Sequence, residues 1–246
     1  MIALTKDKNN LCSPMLWEQL PNIAKLSHRT DKVFSKIIEN GAMQLMLDGI
    51  QISGLHDEWT QAWHRLENAG EETPADSLTS LIAAQHRANF DLWHEEDKAR
   101  DRQASDAEIA SVKRAIDRLN QRRNDLMEKI DEVLLAEAGE QNPAAPLHSE
   151  TPGMMIDRLS ILALKIYHTH EESERATATE THRQKNAARL AVLEEQQRDL
   201  AGCLDALWKE VCSGTRRFKL YRQMKMYNDP ALNPVLYGKA AHNEPA

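Results

Sequence analysis

Apolar residues recur at helical spacing through most of the chain, and the longest apolar run is ETPGMMIDRLSILALKIYH, residues 150–168. Thr151 stands where an N-cap belongs, and Pro152 suits the first helical position because its missing N–H costs nothing there. A helix is therefore expected from about Thr151. At about 100° per residue, Asp157, Arg158, Ile161, Lys165 and His168 share one narrow arc, while Met155, Ile156, Leu159, Leu162, Ala163, Ile166 and Tyr167 fill most of the rest. An apolar face that broad predicts a helix contacted on more than one side.

The same reading divides the remaining chain. Val33, Ile37, Ile38, Met43, Leu45 and Met46 predict a helix over 31–47, eased by Gly41; Leu55, Trp59, Trp63 and Leu66 predict a second, short one before the turn GEETP. From 76 to 100, His86, Asn89, Phe90, Trp93, Glu96, Asp97 and Arg100 project to one helical face. Ser105 and Glu108 form a capping-box pattern that opens a helix to about Ala138. Its Ile109, Val112, Ile116, Leu119, Leu126, Ile130 and Val133 recur at heptad spacing, with Arg123 standing at an apolar position. Asp117, Asn120, Asn124 and Asp131 form a second stripe; Asn and Asp are disfavoured inside helices by up to ~0.7 kcal/mol each, so this stripe needs compensation from inter-helix hydrogen bonds or a shared cavity. GEQNPAAPLHS, residues 139–149, reads as a connector. The polar stretch after His168 predicts exposed helix ends around a mobile link, and Leu190 to Val211 predicts a last amphipathic helix closed by Gly214.

These elements predict an all-α fold: a single-domain bundle of about five to seven helices over residues 31–237 with long central helices. A loosely structured segment, 1–30, precedes it and a disordered tail, 238–246, follows. Composition agrees, since only 9 Gly and 9 Pro in 246 residues leave little turn chemistry for a strand-rich protein. The net charge of −7 argues against nucleic-acid or anionic-membrane partners, which draw on clustered Lys and Arg. One basic segment, TRRFKLYRQMKMYN, departs from that balance. Cys12, Cys203 and Cys212 lack disulfide or zinc spacing. No run approaches the ~20 apolar residues of a membrane span, and the N-terminus lacks a signal-peptide pattern, so a cytoplasmic protein is expected. The long amphipathic helices are compatible with a homodimer.

Four strings, HRANFDLWHEEDKAR, IDRLNQRRNDLMEKID, ETPGMMIDRLSILALKIYH and FKLYRQMKMYNDPALNP, together resemble the Domain of Unknown Function 4254 family of bacterial proteins, over most of His86 to Pro234. The resemblance implies a helical protein encoded near surface-polysaccharide or heptose glycosyltransferase genes, with proteins of a glycosyltransferase pathway as partners. The leading expectation is a protein that binds an anionic small molecule, of the sugar-phosphate or nucleotide-sugar kind, in or alongside envelope polysaccharide metabolism. Arg158, Lys165, Arg217 and Arg222 would hold the anion, because guanidinium and ammonium groups match phosphate and carboxylate. Asn89, Trp93, Asn120, Asn124 and Asp157 would line the rest of the same pocket. A rival expectation is a metal-assisted hydrolase or transferase acting on a phosphorylated substrate. Glu96, Asp97, Asp117 and Asp157 would then be oxygen ligands to Mg²⁺, and His86 or His168 would exchange a proton. A third is a structural protein-interaction module. No P-loop, G-x-S-x-G or paired ExxE/ExxD pattern points to a specific reaction.

Overall fold

A computed structural model describes residues 36–39, 42–45, 47–65, 77–224 and 231–235. Two short strands, β1 (Lys36–Glu39) and β2 (Ala42–Leu45), precede five helices: α1 (Gly49–Arg65), α2 (Leu78–Lys98), α3 (Asp106–Ala138), α4 (Pro152–Glu174) and α5 (Glu180–Cys212). The architecture is an all-α bundle, and all described residues lie in one compact unit, Val33–Ala246. The expected loose segment 1–30 and tail 238–246 lie outside the described residues.

The apolar run at 150–168 became α4, and α4 touches each of the other four helices. That contact on all sides is why its apolar face is broad: Met155, Ile156, Leu159, Ala163 and Leu164 are all buried. Helices α4 and α5 pack lengthwise, as do α2 and α3, and α1 closes against α4 and α5. The core gathers Ile52 and Trp59 of α1, Ile82 of α2, Ile130 and Leu134 of α3, and Leu204, Leu207 and Trp208 of α5 around α4.

Local chemistry sets the helix starts. Ser105 accepts from the Glu108 backbone N–H while Glu108 accepts from the Ser105 N–H at 2.7 Å, a complete capping box. Thr151 caps α4 by accepting from the Met154 N–H at 3.2 Å. A second cap comes from another helix: Asp131 of α3 accepts from the Gly153 N–H at 2.7 Å and from the Thr151 hydroxyl at 2.5 Å. Gly153 is needed there, because a Cβ would sit 2.8 Å from both the Asp131 carboxylate and the Met127 carbonyl. Beside the connector that leads into α4, Gly214 takes φ 70° after α5, the left-handed conformation that a closing glycine adopts readily.

Two sequence expectations are corrected. The helix expected over 31–47 is absent from its described part, which is an antiparallel pair with Lys36 opposite Leu45 and Glu39 opposite Ala42. Asn40-Gly41 lies between the strands in sequence, and Asn-Gly is the strongest short hairpin signal; the helical spacing of the flanking apolar residues obscured it. The last helix begins at Glu180, ten residues before Leu190, capped by Thr179 accepting from the His182 N–H at 3.3 Å. This first part of α5 is too polar to show an apolar period. Local pairs such as Arg183 with Glu180 and a contact between His182 and Glu172 of α4 at 2.7 Å support it instead.

Candidate functional site

Asp157 is only 4% exposed, and the chain collects donors around it from two other helices. Its Oδ1 accepts from Gln85, from Asn89 at 3.0 Å and from Arg123 Nε at 2.7 Å, while its Oδ2 accepts from Arg123 Nη2. The Arg123 charge standing in an apolar stripe of α3 therefore reaches across to α4. The Asp157 bond holds the Arg123 pKa above its ordinary value, against the opposing effect of burial.

From Asn89 the network runs inward with a defined direction. The Thr60 hydroxyl donates to the His56 carbonyl at 2.8 Å, so it accepts from His86 Nε2 at 3.0 Å. His86 is then neutral with a bare Nδ1, to which the Ser160 hydroxyl donates at 2.7 Å, and Ser160 in turn accepts from Asn89 at 2.9 Å. Burial, then the neighbouring His56, hold the His86 pKa well below its usual value. His56 stacks on His86 at 4.5 Å and is pushed by burial down to about 3. Ser160 and His86 are wholly buried, so this seryl–imidazole pair braces Asp157 and cannot reach a substrate.

One edge of the network opens to a cleft. Asn89, Leu92, Trp93, Glu96, Asp97 and Arg100 of α2, Arg123 of α3 and Ile161 and Leu164 of α4 line about 440 Å³, a volume that accommodates a small organic ligand. Leu92, Trp93, Ile161 and Leu164 supply apolar walls, and the Trp93 indole stacks on His168 at 4.9 Å and 10°. Arg100 is tied to Glu96 at 3.0 Å. Arg123 differs: Asp157 takes its Nε and Nη2, and its Nη1 makes no hydrogen bond among the described residues.

The expected site residues do not form one pocket. Asn89, Trp93, Glu96 and Asp97 line the cleft, which Asp157 underpins through Arg123. Arg158 and Lys165 turn to a separate hollow between α4 and α5 of about 690 Å³, where Arg158 is paired with Glu150 at 2.7 Å. Asn120 donates to the Ile116 carbonyl of its own helix, and Asn124 is half-buried on α3. The basic segment folds back on the connector and α3, and its arginines bind protein acceptors. Arg216 pairs with Glu210 at 2.9 Å, and Arg217 donates to the Ala145 carbonyl at 2.8 Å. Arg222 reaches Glu128 and Glu132 at 3.4 and 3.0 Å. Arg217 and Arg222 are thus engaged away from the cleft. Lys225, Tyr227, Asn228 and Asp229 lie outside the described residues.

The Mg²⁺ ligand set does not assemble either. Asp157 is saturated by donors, and Asp117 is an exposed partner of Lys113 on its own helix. Among the described residues the group with metal-binding geometry is a different one: His64 of α1, His94 of α2 and His168 of α4, each with a ring nitrogen within 4.8 Å of the others. Desolvation, followed by the charges of His168 and His94, lowers the His64 pKa, partly offset by its hydrogen bond to the Thr60 carbonyl. Sequence reading placed His168 beside a polar face but missed His64 and His94, because three residues on three helices leave no spacing pattern.

A family model described as a protein of unknown function, DUF4254, matches residues 79–220. The chain belongs to the DUF4254 family. The match takes in the whole cleft and two of the three clustered histidines; His64 precedes it. No curated protein and no solved structure matches the chain. Among the described residues no helix is long and apolar enough to cross a membrane.

Proposed function

We propose that this DUF4254 protein binds a small anionic molecule in the cleft between α2, α3 and α4, with the anionic group on Arg123 and the uncharged part against Trp93. The observation that supports this is the state of Arg123. A buried carboxylate fixes one edge of its guanidinium and leaves Nη1 unspent in the cleft wall. A guanidinium held in this way loses little entropy on meeting a phosphate or carboxylate. The rim carboxylates of Glu96 and Asp97 accept hydrogen bonds and do not donate them. A ligand carrying hydroxyl groups beside its anionic group suits such a lining, and sugar phosphates and nucleotide sugars have that chemistry. It is also the class implied by the family's association with envelope polysaccharide genes.

The test is a thermal-shift panel of sugar phosphates and nucleotide sugars, with the unphosphorylated sugars as controls. A ligand at about a hundredfold its Kd stabilises by ~2.7 kcal/mol, or about 5–10 °C for a chain of this size. The shift is expected with phosphorylated compounds and is lost in Trp93→Ala, a half-buried cleft residue. Absence of any shift across the panel removes the reading. An equal shift in Trp93→Ala places binding elsewhere, and the hollow holding Lys165 would be examined next.

A further inference from the structure

We infer that His64, His94 and His168 form a binding site for a divalent transition-metal ion, with Zn²⁺ as the best match. The three imidazoles come from α1, α2 and α4, and one ring nitrogen of each lies within 4.8 Å of the other two. In all three, Nδ1 is already committed. His64 Nδ1 donates to the Thr60 carbonyl at 2.8 Å, His94 Nδ1 to the Phe90 carbonyl at 2.8 Å, and His168 Nδ1 to the Glu171 carboxylate at 3.0 Å. Carbonyl and carboxylate oxygens only accept, so each Nδ1 holds the proton and each Nε2 presents a bare lone pair. A second partner on Nδ1 that fixes tautomer and ring orientation is what metal-binding histidines characteristically have.

The free nitrogens bear this out as a cluster in need of a cation. Nε2 of His64 and Nε2 of His168 are both buried with no hydrogen-bond partner. One proton could bridge two such lone pairs but not three, whereas a cation serves all of them. The rings are held by packing: His64 stacks on Tyr167 at 4.1 Å, His168 on Trp93 at 4.9 Å, and His94 lies against Phe90 at 4.4 Å. Zinc–nitrogen bonds of about 2.0–2.1 Å set ligand nitrogens about 3.4 Å apart in a tetrahedral site, so each nitrogen needs to move by less than about 1 Å.

Three neutral imidazoles select Zn²⁺ and its first-row neighbours over Mg²⁺, which prefers oxygen. Three protein ligands also leave a fourth position for water or a ligand atom, the arrangement of an open site and not of a closed structural one. His94 additionally lines the α2–α3 cleft that carries Arg118 and Arg122. The site does not depend on anion binding beside Trp93.

The test is titration of the chelator-stripped full chain with Co²⁺, whose visible d–d absorption reports a low-coordinate nitrogen site, followed by displacement with Zn²⁺. One equivalent of Co²⁺ is expected, displaced by Zn²⁺ and unaffected by excess Mg²⁺. The band is expected to disappear in His94→Gln and His168→Gln and to persist in His170→Gln, an exposed histidine on the same helix. Far-UV circular dichroism establishes that each variant is folded. Glu171→Gln keeps all three imidazoles and is expected to weaken binding by about 10- to 100-fold through the lost orienting carboxylate. Failure of folded wild-type protein to bind either ion saturably would overturn the inference. So would a Co²⁺ band that survives both His94→Gln and His168→Gln, or an affinity unchanged in Glu171→Gln.

Discussion

Substituting Arg123→Met tests whether the Arg123–Asp157 pair organises the site. In the wild type Asp157 is 4% exposed and accepts from Gln85, Asn89 and two nitrogens of Arg123, Nε and Nη2. The substitution leaves that carboxylate with two amide donors and no counter-charge. Removing one member of a buried ion pair costs about 3–5 kcal/mol. The two remaining amides, and the 23% exposure of the Arg123 side chain, place the expected cost at the lower end, about 3 kcal/mol. For a chain of this size that lowers Tm by about 6–12 °C. Asp157→Asn is expected to cost less, since Arg123 can turn its charge toward the open cleft. The double variant, which buries no unpaired carboxylate, should be less destabilised than the sum of the single variants by at least about 1.5 kcal/mol. Urea unfolding followed by far-UV circular dichroism measures all four proteins. Additivity within ~0.5 kcal/mol, or a loss below about 1 kcal/mol in Arg123→Met, would refute the assignment of Asp157 as a buried charge held by Arg123.

Three further predictions concern the start of α4 and a control site. Gly153→Ala drives a Cβ to 2.8 Å from the Asp131 carboxylate and the Met127 carbonyl and should destabilise by about 1–3 kcal/mol. Gly54→Ala, in α1 with nothing within 4 Å of the added atom, should stabilise by about 0.5–1 kcal/mol; chemical denaturation of the two variants reads both signs. Burial pushes the Asp131 pKa up to about 6, against the hydrogen bonds from Thr151 and Gly153, so the folded state binds this proton more tightly than the unfolded state. Its contribution is full below the unfolded pKa of 3.8 and is lost as pH rises through about 6. The stability of wild type relative to Asp131→Asn should therefore fall by up to about 3 kcal/mol between pH 4 and pH 7, and parallel urea-stability profiles across that range would contradict it.

Much of the fold was legible locally. Ser105 with Glu108, and Thr151 with Pro152, mark helix starts because a cap is made within four residues of the chain. The breadth of the apolar face at 150–168 likewise announced a helix touched on several sides. Locally ambiguous stretches were misread. Apolar residues at 33–46 fit a helical period although Asn40-Gly41 favours a hairpin, and the polar start of α5 carries no period because its support lies in a neighbouring helix.

The site was legible in residue type but not in assembly. Arg123 and the Asn89 face stood out as polar groups on packing helices, and the chain itself determined that they required partners. Which partners they meet was decided by the rotation and depth at which helices pack. Arg158 follows Asp157 by one residue, yet a turn of about 100° sends it to the α4–α5 hollow while Asp157 faces α2 and α3. Arg217 and Arg222 are drawn to acceptors on the connector and α3. His64, His94 and His168 belong to three helices and share no spacing, so their convergence is a property of tertiary packing alone. Caps and amphipathic periods are short-range and can be read along the chain; contacts between helices depend on the whole packed interface and exist only in the folded structure.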